Sequence, residues 1–136
     1  MIIGYTQGTY DMFHIGHLNL LKHAKEKCDY LIVGVNTDKL VKQYKNKSAV
    51  IPFDERIEIV SSIKYVDQVV ACDTLDKKEA FKNHKFDILF IGDDWKGNAR
   101  WAQTEKDLAQ LGARLEYLPY TKNTSSTMLR EKLAEY

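Results

Sequence analysis

Apolar residues along this chain fall into short continuous runs separated by segments of helical period. Tyr30-Leu31-Ile32-Val33-Gly34-Val35 and Asp87-Ile88-Leu89-Phe90-Ile91-Gly92 are nearly uninterrupted, the pattern of strands covered on both faces. Met1 to Thr6, Val66 to Ala71 and Ala113 to Leu118 read as three further strands. From His17 to Lys27, Leu18, Leu21 and Ala24 recur at helical spacing with Lys22, Lys25 and Glu26 on the other side. Phe53 to Ile63 repeats that period through Ile57, Val60 and Ile63, and Lys77 to Asn83 is a shorter helix. Trp101 to Leu111 is a helix stopped by Gly112, and Ser126 to Glu135 closes the chain. Lys39 to Pro52 has no regular period, carries Lys42, Lys45 and Lys47, and reads as a mobile basic loop.

Strand, helix, strand repeated in this way implies parallel strands joined by right-handed crossovers. The expected fold class is therefore α/β: a doubly wound, parallel, five-stranded sheet with helices on both faces, in one domain spanning 1–136. In such sheets ligands collect beyond the carboxyl ends of the strands, near helix N-termini. That rule selects four segments, 7–17, 36–47, 92–97 and 120–127, which are also rich in Gly, His, Lys, Ser and Thr.

Composition narrows the function classes. The 136 residues are 44% hydrophobic and 29% charged, a balance that excludes a disordered chain. A net charge of +1 and the lack of a basic stripe argue against nucleic acid as a partner. Cys28 and Cys72 have no paired spacing, so neither a disulfide framework nor a zinc site is expected. The first residues lack a signal peptide's cationic start, and no apolar run approaches a membrane span. No membrane insertion and a cytoplasmic location are the expectation.

The chemistry concentrates first in Gly8-Thr9-Tyr10-Asp11-Met12-Phe13-His14-Ile15-Gly16-His17. Gly8 allows a tight exit from the first strand, and Gly16 allows backbone to approach a ligand closely. His14 and His17, three apart at a helix start, share a face beside an anion-attracting terminus. Imidazoles there can donate hydrogen bonds to phosphate oxygens as charge develops. Ser125, Ser126 and Thr127 offer hydroxyls and free amides at the start of the last helix, more than a simple cap needs. Asp93 and Asp94 follow a buried strand, where a carboxylate can orient a ribose or base, or help hold a metal.

These segments together resemble the nucleotidyltransferase superfamily. His14-Ile15-Gly16-His17 is similar to its HxGH signature, and Gly8-Thr9-Tyr10-Asp11 to the Gly-Thr/Ser-Phe-Asp preceding it in cytidylyltransferases. Gly92-Asp93-Asp94-Trp95-Lys96-Gly97 resembles the GDDWxG of glycerol-3-phosphate cytidylyltransferases. Residues 121–127 lie where that family carries R-T-x-G-x-S-T followed by a hydroxyl residue. Here Tyr120 replaces the arginine and Asn123 the glycine, so Lys122 or Arg130 substitutes for the guanidinium, or the nucleotide is held differently. The fold implied is Rossmann-like.

The resemblance implies direct attack of a polyol phosphate, sn-glycerol 3-phosphate above all, on the α-phosphorus of CTP. Mg2+ would ride on the nucleotide, with no protein side chain assigned as metal ligand. It implies CDP-glycerol and pyrophosphate as products, use in teichoic-acid or capsular polymer synthesis, and a homodimer. His14, His17, Lys45 and Lys47 are the implied catalytic residues. Gly8, Thr9, Tyr10, Gly16, Gly92, Asp93, Asp94, Tyr120, Thr121, Ser125, Ser126 and Thr127 would bind nucleotide. Asp11, Lys45, Arg56, Lys78 and Trp95 would bind the acceptor, with Lys77 as an alternative to Lys78. Two other readings stay open: an adenylyltransferase of the same superfamily acting on a sugar phosphate or flavin precursor, and a non-catalytic nucleotide-binding module.

Overall fold

In the computed structural model, which describes residues 1–119 and 126–135, the chain alternates strand and helix. The order is β1 (Ile3–Gly8), α1 (Ile15–Glu26), β2 (Tyr30–Asn36), α2 (Asp38–Lys45), α3 (Phe53–Ser61) and β3 (Gln68–Cys72). Then come α4 (Lys77–His84), β4 (Ile88–Gly92), a 3-10 turn at Asp93–Trp95, α5 (Ala99–Gln110), β5 (Arg114–Leu118) and α6 (Ser126–Ala134). The five strands are parallel in the order β3-β2-β1-β4-β5, so the strand order reverses direction between β1 and β4. This is the doubly wound α/β architecture that the apolar runs predict.

Two apolar layers explain why the central strands lack polar alternation. On one face Leu21 and Ala24 of α1 and Val60 of α3 pack on Leu31, Val33, Val35, Ile88 and Phe90. On the other, Ala80 of α4 and Leu108 of α5 pack on Tyr5, Ile32, Leu89, Ile91 and Leu115. Removing the Leu, Ile, Val and Phe side chains among these from water stabilises the fold by about 1.5–3 kcal/mol each. Gly112, at φ +91°, ends the turn after α5 in a conformation that a side chain disfavours, as its place in the sequence predicts.

Lys39 to Pro52 is not a loop throughout, because Asp38–Lys45 is the helix α2. Thr37 caps it by accepting a hydrogen bond from the Leu40 amide, and Leu40 and Val41 are buried. Asn46 closes it in the left-handed region, so the basic loop shortens to the stretch after Lys45. Among the described residues no helix is long and apolar enough to cross a membrane.

Candidate active site

A cavity of about 480 Å³ opens beyond the carboxyl ends of all five strands. Gly8, Asn36 and Gly92 are the last residues of their strands, and Leu75 and Pro119 follow theirs; all five line it. It spans both faces of the sheet, from the N-terminus of α1 to those of α4 and α5. The switch in strand order between β1 and β4 creates this crevice.

At the α1 end, His14 is the N-cap. Its Nδ1 accepts from the Gly16 amide at 3.0 Å, while the His14 amide donates to His17 Nδ1 at 3.2 Å. The two rings stack with centroids 3.9 Å apart. Because each Nδ1 accepts a backbone hydrogen bond, each neutral ring carries its proton on Nε2. Burial lowers the pKa of both. For His17, burial first, then the neighbouring charges of His14 and Lys45, press it down to about 3, with Asp11 opposing. Two neutral imidazole donors thus line the cavity beside the positive end of α1.

Residues following β1 turn sharply to reach this helix, with Tyr10 at φ +55° and Met12 at φ +50°. Three long-range anchors hold the turn. Thr9 Oγ1 lies 2.8 Å from Tyr44 Oη and accepts from Asn36 Nδ2 at 3.3 Å. Asp11, 2% exposed, accepts from the amides of Val50 and Ile51 and pairs with Arg130 of α6. Burial alone would raise the Asp11 pKa, but the two amides and the guanidinium outweigh it and hold it below the usual carboxylate range. Ser126 Oγ donates to the Asp11 carbonyl at 2.6 Å, so both partners from α6 converge on one residue.

The third anchor is Arg56, which is 1% exposed. It donates to the carbonyls of Ile51, Thr9 and Asn36 and to Asp38 Oδ1. Sequence reasoning assigned it to the acceptor. The structure instead places it beneath the site, tying β1, β2 and α2 together, and it does not line the cavity. Asp11 touches the cavity, but its carboxylate is committed to Val50, Ile51 and Arg130 rather than presented to an acceptor.

Of the remaining expected residues, Gly8, Thr9, Tyr10, Gly16, Lys45, Gly92, Asp94, Trp95 and Ser126 line the cavity together with the histidines. Gly92 leaves room for the Asp94 carboxylate: a Cβ there would lie 2.5 Å from Asp94 Oδ1, so the side chain of Asp94 would have to turn away. Burial raises the Asp94 pKa, with Asp93 adding to it and a backbone hydrogen bond opposing. Asp93, Lys47, Lys78 and Thr127 are exposed and outside the lining. It is Lys77, the first residue of α4, that enters the cavity, and Lys78 points away from it because it is one position further round the helix. Tyr120, Thr121 and Ser125 lie outside the described residues.

Gln7, Asn36, Tyr44, Arg100 and Trp101 also line the cavity and carry no motif of their own. Asn36 was open to detection as the polar last residue of an apolar strand, and Tyr44 as the aromatic among the lysines. Among the described residues, no group of three His, Cys, Asp or Glu side chains could hold a metal ion.

Residues 5–132 match the family model described as cytidylyltransferase-like. The glycerol-3-phosphate cytidylyltransferase of Bacillus subtilis is 35% identical over 130 residues, which cover 95% of each chain. The FAD synthase of Pyrococcus abyssi is also 35% identical, over 116 residues that make up 83% of this chain and 77% of that one. The crystal structure of a lipopolysaccharide core biosynthesis protein from Thermoplasma volcanium shares the fold. Its TM-score is 0.75 at 24% identity, with 91% of this chain and 99% of that one covered.

Proposed function

The chain belongs to the cytidylyltransferase-like family, and on that premise we propose that it transfers CMP from CTP to sn-glycerol 3-phosphate or a close polyol phosphate. A phosphate oxygen of the acceptor forms a bond to the α-phosphorus of CTP. The bond from that phosphorus to the oxygen bridging the β-phosphate breaks, and pyrophosphate leaves with the electron pair. The nucleophile is already anionic, so no proton has to be removed to activate it. What the transition state needs is charge stabilisation and alignment.

The observation that carries this reading is the His14–His17 pair. Two stacked neutral rings, each with a proton on Nε2, line the cavity at the positive end of α1. They supply hydrogen bonds to the equatorial oxygens without needing to titrate at neutral pH. Lys45 supplies the mobile positive charge at this end. Among the described residues no group of three His, Cys, Asp or Glu side chains is placed to cage an ion, and Mg2+ carried on the nucleotide's own phosphates would supply charge neutralisation.

Pyrophosphate release from each nucleoside triphosphate, against a panel of polyol phosphates, tests the assignment. CTP with glycerol 3-phosphate is expected to lead. ATP outpacing CTP with every acceptor would instead support adenylyl transfer to a flavin precursor or sugar phosphate, a reading that the similarity to the archaeal FAD synthase favours.

A further inference from the structure

We propose that Arg100, paired with Lys77 over the indole of Trp101, is an acceptor-binding residue that seats the phosphate of the alcohol substrate. Lys77 Nζ lies 5.5 Å, and the Arg100 guanidinium carbon 6.0 Å, from the Trp101 ring centroid. All three line the cavity at its α4/α5 end, across the sheet from the histidines.

Their placement runs against local electrostatics. Lys77 opens α4 and Arg100 is the second residue of α5, so both cations sit at positive helix ends, where acidic residues are favoured by about 0.3–1 kcal/mol. They also face each other: Lys77 is buried, and Arg100 is the largest cause after burial of a pKa lowered to about 8. Among the described residues neither has a carboxylate partner within salt-bridge distance. Among the described residues Lys77 Nζ donates to the Leu75 carbonyl alone, at 2.8 Å. Three unfavourable terms at one place in a cavity are offset by an anion seated between the cations.

The charge balance of the cavity says which anion. At the α1 end the imidazoles are neutral and Arg130 is matched by Asp11, leaving Lys45 for the nucleotide. The Lys77–Arg100 pair brings two positive charges with, among the described residues, no carboxylate at salt-bridge distance, which suits a phosphate monoester dianion. Such a group has a second pKa of about 6, and two adjacent cations keep it fully ionised, the form that attacks phosphorus without a base. Trp95 and Trp101 then flank the carbon skeleton.

This inference rests on the nucleotidyl-transfer reading, and the experiment separates the two. For the full chain and its Arg100→Gln and Arg100→Lys variants, pyrophosphate release from CTP is measured against sn-glycerol 3-phosphate. Binding of sn-glycerol 3-phosphate alone is followed by calorimetry. Arg100 is solvent-exposed, so its substitution should leave the melting temperature unchanged. In Arg100→Gln, both KM and Kd for glycerol 3-phosphate should rise about 10- to 100-fold, the cost of one charge-assisted contact. The KM for CTP should stay within about twofold, and Arg100→Lys should recover part of the loss. An unchanged acceptor KM in an active Arg100→Gln variant, or a loss that falls on CTP instead, overturns the inference alone. If the unmodified protein makes no CDP-alcohol but binds glycerol 3-phosphate in an Arg100-dependent way, the activity reading fails and the phosphate seat stands. If it neither reacts nor binds, both are wrong.

Discussion

The phenol oxygen of Tyr44 lies 2.8 Å from Oγ1 of Thr9, joining the last turn of α2 to the turn that leads into the histidines. Asn36 Nδ2 reaches both oxygens, at 3.3 Å and 3.2 Å, and Gln7 Nε2 donates to Asn36 Oδ1 at 2.8 Å. One polar relay therefore sets the side chain of Thr9 and the position of Lys45, the residue after Tyr44. Tyr44→Phe keeps the ring but removes the oxygen. It should lower kcat about 10-fold, as one net hydrogen bond is lost and Lys45 drifts. Thermal unfolding should barely change, because Tyr44 is 39% exposed. Steady-state kinetics beside a melting curve would show whether the effect falls on activity rather than stability.

The imidazoles give a sharper expectation. Removing one donor that acts only in the transition state costs about 10²–10³ in kcat. His14→Ala and His17→Ala should each fall in that range, with smaller changes in the KM for CTP. Since the His17 pKa is held near 3, kcat should show no limb near pH 6.5 arising from this ring. A rate profile of the unmodified protein between pH 5 and 8 checks this.

The same group makes stability depend on pH. Folded His17 stays neutral down to about pH 3, while the unfolded chain's histidine takes up a proton near 6.5. Between those values the unfolded state binds more protons, so stability rises with pH across the window and falls on acidification. The slope from this one residue is at most about 1.4 kcal/mol per pH unit. Urea midpoints at pH 7 and pH 5, for the unmodified protein and His17→Gln, isolate the contribution. The variant should lose less on going to pH 5.

Arg56 was legible in the sequence as Asp54-Glu55-Arg56, a pattern that looks like a solvated helix face. What makes it structural are partners at separations of 47, 20 and 18 residues, which no local pattern encodes. Arg56→Ala would leave three carbonyls without their donor and a void beneath the site. It should destabilise the fold by roughly 3–5 kcal/mol. Arg56→Lys should not restore it, since one ammonium cannot span Ile51, Thr9, Asn36 and Asp38 together. Chemical denaturation measures both.

That contrast marks what could be read without a structure. Strands β2 and β4 were visible because layers on both faces force nearly unbroken apolar runs, and His14 to His17 because its residues are contiguous. Helix α2 was hidden, since its buried residues Leu40 and Val41 are adjacent and set no helical period, and its hold on the fold comes through Thr37, Tyr44 and Asp38. Lys77 and Lys78 could not be told apart from sequence. One step round α4 decides which enters the cavity, and that depends on where the helix begins.

Lys77 also predicts the alkaline behaviour of acceptor binding. Burial and then Arg100 lower its pKa to about 8, while Cys72 of β3 and Asp76 at the N-cap of α4 oppose them. In the free protein, Lys77 is charged below that value and neutral above it, so the seat loses one of its two cations as pH rises. The KM for glycerol 3-phosphate should climb above about pH 8, while the KM for CTP, which faces Lys45 and the neutral imidazoles, should not follow. The acceptor dianion is fully formed by then, so its own ionisation does not mask the effect. In Arg100→Gln one of the lowering influences is gone. Acceptor binding should be weaker at every pH, but its alkaline rise should move to higher pH as the Lys77 pKa recovers toward 10.5. A profile of acceptor KM from pH 7 to pH 10 for both proteins distinguishes this from a general loss of structure, which would affect both substrates together.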